Sequence, residues 1–228
     1  MTMTATRDHA PSTSRAPAPG RGLTTLLLSV IGVGLLLLGG ALAVATGIGR
    51  DDPPAAGSVD VGFARDMSAH HLQAVEMANL ALERSTDDAV RGLAFDIAET
   101  QQNQVGRMQG WLSLWGFSFS GGERMAWMGS GDHAGHSSAE GGLMPGMATD
   151  DELAELRTAT GEDFDVLFLQ LMTRHHQGGR EMAEYAQENA EEPAVRNLAR
   201  TIVESQAGET RLMASMLAER GAEPLPAP

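Results

Sequence analysis

The chain repeats itself. Residues 63–112 align without gaps on 168–217, at an offset of 105, with 19 identities in 50 positions. The pairs include Phe63/Phe168, Met67/Met172, His70/His175, His71/His176, Glu76/Glu181, Met77/Met182, Val90/Val195, Ile97/Ile202, Gln101/Gln206 and Leu112/Leu217. A duplication of this size halves the folding problem. Both copies must form the same unit, and each can bury the apolar face the other leaves open.

Each copy reads as two helices. Val90, Leu93, Ala94, Ile97, Gln101, Met108 and Leu112 recur at three- and four-residue steps, which is one face of a helix. Thr86-Asp87-Asp88 is a capping sequence, Pro193 suits a first helical turn, and Gly116 and Gly221 fall where helices should stop. Helices are therefore expected at about 59–84, 87–115, 162–189 and 192–220. No strand pattern occurs. The expected fold is all-α: a ferritin-like four-helix bundle over 58–220, built from a duplicated helical hairpin (58–116 and 162–221).

The connection 117–161 is long for such a bundle, where about 2–8 residues suffice. Its length permits a crossover from one end to the other, which would set the first and third helices antiparallel. Thr149-Asp150-Asp151-Glu152 has the capping-box pattern, so a short helix is expected near 150–158. Residues 118–148 are Gly/Ser-rich and read as a mobile segment.

Ahead of the repeat, Leu23 to Gly49 run 27 positions without a charge, more than the roughly 20 needed to cross a bilayer. Arg7, Arg15 and Arg21 lie on its N-terminal side. The positive-inside rule thus makes residues 1–22 a disordered cytoplasmic tail, 23–49 a transmembrane anchor or uncleaved signal, and 50–57 a linker to an extracytoplasmic domain. The alternative is a cleaved signal peptide ending at Ala41-Leu42-Ala43 or Ala43-Val44-Ala45, and a secreted product. The region beyond residue 50 holds 12 cations and 29 acids, a net −17. Such a charge argues against nucleic acid as a partner.

Cysteine is absent and all 16 cations are arginine, which excludes disulfides, thiolate sites and lysine chemistry. Methionine, at 13, is plentiful. In the first and third helices Met67-x-x-His70-His71 and Met172-x-x-His175-His176 are followed by Met77 and Met182. Helical geometry puts these side chains on one half of each helix, so antiparallel packing would bring the two His pairs together at mid-height. Imidazole with thioether suits copper, Cu(I) above all, and suits hard ions poorly. The candidate metal ligands are therefore His70, His71, His175, His176, Met67, Met172, Met77 and Met182, although methionine at helical spacing also fills cores. Gln101 and Gln206, on the apolar faces of the second and fourth helices, are candidates to orient the imidazoles. A looser set lies in the connection: Met125, Met128, His133, His136, Met144 and Met147.

The pattern Phe-x-x-x-Met-x-x-His-His-x-x-x-x-Glu-Met-Ala, at Phe63–Ala78 and again at Phe168–Ala183, resembles the domain-of-unknown-function family 305, over about 58–220. That resemblance implies a ferritin-like fold, export, and a copper or silver role for His70, His71, His175 and His176 with Met67 and Met172. It implies no reaction. Three functions stay open: a copper binder for sequestration, tolerance or relay; a di-iron or di-manganese oxidase or store; and a metal-free interaction module. A di-metal site of the ferritin kind uses Glu-x-x-His, which is absent here, so iron, manganese and enzyme activity are disfavoured. A homo-oligomer or a copper-handling protein partner is left open.

Overall fold

The computed structural model describes residues 20–46, 52–129 and 142–226. The fold is all-α. Its helices are α1 (Arg21–Ala45), α2 (Val59–Arg84), α3 (Asp88–Trp115), α4 (Asp150–Thr158), α5 (Gly161–Asn189) and α6 (Pro193–Glu219), with a short 3-10 turn at Ala126–Met128. The chain divides into two units, residues 1–52 and 53–228. In the first, Gly22–Ala45 has a mean hydropathy of 2.5 and is long and apolar enough to cross a membrane.

The ends of the helices in the second unit follow from their caps. Ser58 accepts from Val61 N to open α2, and Asp87 Oδ1 accepts from Ala89 N (2.7 Å) and Val90 N (3.3 Å) to open α3. Gly116, at φ +79°, closes α3 in a conformation that a side chain would strain. Thr149 and Glu152 form the reciprocal capping box of α4, and Pro193 sits in the first turn of α6.

α2 pairs with α3 and α5 with α6 as two hairpins, which meet through α2 and α5. Two apolar clusters hold them together. One joins Val61–Met67 of α2 and Met108 and Leu112 of α3 to Met182–Ala186 of α5 and Val195–Ile202 of α6. The other joins the opposite halves: Ala74–Ala81, Val90–Ala98, Phe164–Met172 and Met213–Leu217. The start of α2 thus lies beside the end of α5, so these two helices run antiparallel, as the long crossover requires.

The hairpins are also tied by a buried acid. Asp60, 1% exposed, sends Oδ1 to the amide of Glu192 (2.9 Å) and Oδ2 to that of Glu191 (3.2 Å). Glu192 is the N-cap of α6 and supplies no side-chain cap of its own, so α2 caps α6 from outside. Asp60→Ala should lower stability by about 2–3 kcal/mol, because it leaves two amides without an acceptor. Urea denaturation of residues 53–228 would check this; an unchanged midpoint would show that water replaces the carboxylate.

The crossover differs from the expected mobile segment where it is described. Asp66 Oδ2 accepts from Met125 N and from Trp127 Nε1, both at 2.8 Å. The Trp127 ring lies over Gly62, where a Cβ would stand 2.3 Å from the ring. Further along, Gln73 clamps Ala148, accepting from its N–H at 2.8 Å and donating to its carbonyl at 2.9 Å. Residues of α2 thereby fix both described flanks of the crossover.

Candidate metal centre

A polar layer separates the two apolar clusters. In α2 it falls between Met67 and Ala74, in α3 between Ala98 and Met108, in α5 between Met172 and Met182, and in α6 between Ile202 and Met213. Its members are His70, His71, Gln101, Gln104, His175, His176, Gln206 and Glu209. All four imidazoles have no solvent exposure. Antiparallel packing brings His70 and His175 face to face, with ring centroids 3.8 Å apart and 36° between planes. Each also neighbours the histidine next to it in the chain, at 6.4 Å for His70–His71 and 6.3 Å for His175–His176.

Every ring uses Nε2 to reach an acceptor. His70 Nε2 donates to the Pro145 carbonyl and His175 Nε2 to the His70 carbonyl, each at 3.0 Å. His71 Nε2 donates to Gln104 Oε1 at 2.7 Å, and His176 Nε2 to the Glu209 carboxylate at 2.6 Å. A carbonyl or carboxylate can only accept, so Nε2 carries a proton in each ring, and a neutral ring then has its lone pair on Nδ1. All four Nδ1 atoms are buried and have no hydrogen-bond partner. An imidazole held through one nitrogen by an oxygen, with the other nitrogen bare, is the arrangement of a metal-ligating histidine.

Burial keeps His70, His71 and His175 neutral. It pushes His70 down to about 4 and His71 down to about 3, with repulsion from His70 adding to the fall at His71. His175 is lowered well below the usual 6.5, chiefly by burial and then by the other three rings. At neutral pH no proton competes for the Nδ1 lone pairs of His70, His71 and His175.

The methionines divide between the two sides of the layer. Met67 and Met182 belong to one apolar cluster, Met77 and Met172 to the other, and all four are fully buried. Each side therefore has two thioethers rather than four meeting at a point. Among the described residues no three His, Asp or Glu side chains converge as a ligand set. The donors in and beside the layer are four imidazoles and flanking thioethers, with the Glu209 carboxylate behind His176.

Gln101 and Gln206 lie in the layer, but neither bonds an imidazole; the amide atoms of both are buried without partners. Gln206 does reach the site, since a Cβ on Gly179 would lie 3.2 Å from its Oε1 and 3.0 Å from His70 Cε1. His71 and His176 are held by Gln104 and Glu209, one turn further along the same helices. Sequence reasoning missed both, and the signal was there: each lies 33 residues after its histidine. Of the crossover candidates, Met128 and Met144 are buried in the cluster with Met67, and Met125 and Met147 pack against it. They serve the core rather than a loose capture loop. His133 and His136 lie outside the described residues.

Pro145 belongs to the segment Met144-Pro145-Gly146-Met147, which is pressed onto α5. A Cβ on Gly178 would stand 2.1 Å from the Pro145 oxygen, and one on Gly146 would stand 2.4 Å from the Arg174 oxygen. Two glycines in contact let a loop carbonyl reach the His70 ring.

The profile described as Domain of unknown function (DUF305) matches residues 60–217. The chain belongs to the DUF305 family. A DUF305 protein from Streptomyces coelicolor is 49% identical, with a TM-score of 0.68 over 75% of this chain and 99% of that one. A DUF305 fragment from Deinococcus radiodurans is 37% identical, with a TM-score of 0.58 over 71% and 96%. CopM in its Cu(II)-bound form is 28% identical, with a TM-score of 0.56 over 70% and 96%; its Cu(I)-bound form is 26% identical, with a TM-score of 0.53 over the same shares. None of the curated proteins compared with the chain matches it. The DUF305 match starts and ends within the second unit and includes the whole histidine layer.

Proposed function

We propose that this DUF305 protein is a membrane-anchored, extracytoplasmic copper-binding protein that holds Cu(I), and by the same chemistry Ag(I), for sequestration, tolerance or relay. The observation that carries this reading is the set of four buried Nδ1 atoms without a hydrogen-bond partner, each on a ring already fixed through Nε2. Copper supplies no reaction in this reading; it is cargo. His70, His71, His175 and His176 would hold it, with Met67 and Met172 the nearest thioethers in sequence and Met77 and Met182 behind them. Soft Cu(I) suits imidazole nitrogen and thioether sulfur as donors. The copper-bound structures of CopM support the same reading at 26–28% identity.

A di-iron or di-manganese store would need several carboxylates among the histidines, and among the described residues Glu209 alone bonds a ring of the layer. Glu99 and Glu204, which match between the copies, are exposed, and Glu204 pairs with Arg200 on the surface. We therefore read a binding protein and not an oxidase. For location, the reading rests on the uncharged stretch Gly22–Ala45 and the arginines ahead of it.

Titration of residues 53–228 with Cu(I) against a competing chelator tests the proposal. Wild type should bind, and replacement of His70, His71, His175 and His176 by Ala should weaken binding by about a hundredfold or more. Circular dichroism would establish that the variant stays helical. Unchanged affinity in a helical variant would remove the histidine layer from the function.

A further inference from the structure

Gln104 and Glu209 stand at equivalent places in the two copies, each accepting a hydrogen bond from its own histidine, yet one is an amide and the other a carboxylate. We propose that this one divergence makes the two halves of the layer unequal: His176, backed by Glu209, favours divalent copper, Cu(II), whereas His71, backed by Gln104, is left to a monovalent soft ion. The inference rests on the copper reading above and deepens it. It assigns a preference between oxidation states to a residue that positions and polarises a ligand without touching the ion.

Two physical differences carry it. The first is charge. Glu209 Oε2 lies 2.6 Å from His176 Nε2, and the His176 side chain has no exposure while that of Glu209 is 20% exposed. A carboxylate behind an imidazole makes the ring a stronger donor and adds a negative charge near any ion on Nδ1. Coulomb attraction scales with the charge of that ion, so a dication gains twice what a monocation gains. Gln104, 7% exposed, offers the His71 ring an oxygen and no net charge.

The second difference is the freedom of the proton. A carboxylate only accepts, so His176 keeps a proton on Nε2, and the ring in its neutral form has its lone pair on Nδ1. An amide both accepts and donates. By turning over, Gln104 could present its NH2 group to His71 Nε2 and move the ring proton to Nδ1, which withdraws that nitrogen as a ligand. Between the two neutral tautomers, His176 is therefore confined to the ligating one and His71 is not.

The test uses the full chain in detergent, with dissociation constants for Cu(I) and Cu(II) measured by chelator competition. Glu209→Gln should weaken Cu(II) about tenfold to a hundredfold and change Cu(I) by less than about threefold. Gln104→Glu should move the ratio the other way by strengthening Cu(II). The ratio is the decisive readout, because a residue that only ties α5 to α6 would change both ions together. Equal losses for both ions in Glu209→Gln, or no loss, would overturn the inference while leaving copper binding standing. Wild type that binds neither ion would overturn the copper reading and this one with it. If Glu209→Gln fails to fold, Gln104→Glu decides: a rise in Cu(II) affinity supports the inference and its absence overturns it.

Discussion

Between pH 6.5 and about 4 the helical unit is expected to lose several kcal/mol of stability. His70 and His71 are neutral in the fold, lowered by burial from 6.5 to about 4 and about 3. In the unfolded chain the same rings take up protons as soon as the pH falls below 6.5. The unfolded state then binds more protons, so stability declines as the pH drops through this window, most of it gone by the folded value of each ring. At about 1.4 kcal/mol per pH unit, His70 alone contributes on the order of 3 kcal/mol and His71 somewhat more. Against a total stability of about 5–15 kcal/mol for a domain, this is enough to unfold it. Urea midpoints followed by circular dichroism at pH 7, 6, 5 and 4 would show the fall. A midpoint that stays flat would mean the rings are reached by water and charged in the fold.

Gly178→Ala should have the second large effect, a loss of about 2–4 kcal/mol. The three atoms nearest the new methyl all belong to the backbone: the Pro145 oxygen at 2.1 Å, its carbon at 2.3 Å and Gly146 N at 2.7 Å. None can swing aside as a side-chain end can. The loop would have to lift, and His70 Nε2–H would lose its carbonyl. A lower melting temperature together with a shifted His70 ring resonance in nitrogen NMR would mark both events. Gly92→Ala is the comparison. It lies in α3 with nothing within 4 Å of its would-be Cβ, so it should be neutral or stabilising by about 0.5–1 kcal/mol. Equal losses in the two variants would sink the account of the loop contact.

The helices were legible because their signals are local. Periodicity and caps put α2, α3, α5 and α6 within a residue or so of their observed ends, and the Thr149–Glu152 box placed α4. The meeting of His70 with His175 was legible from the repeat and the long crossover together. What was not legible depends on height and on backbone. Helical angle shows which face Met172 lies on, but not on which side of the layer its thioether packs. The Pro145 carbonyl carries no side-chain signature at all. Gln104 and Glu209 escaped because a search for identities between copies passes over the place where the copies differ. Asp66 and Gln73 look like surface residues until the crossover is laid across them.

The crossover also has a consequence for symmetry. Two identical hairpins could pair about a twofold axis with every contact made twice. Here the ring of His175 hydrogen-bonds the main chain of its counterpart, while the ring of His70 turns instead to Pro145, which comes from a segment present once. A connection that began as a tether between equals has become part of one of them. The fused chain therefore holds an arrangement that no homodimer of either half can reproduce, and the two duplicated motifs are free to diverge in sequence because they no longer occupy the same surroundings.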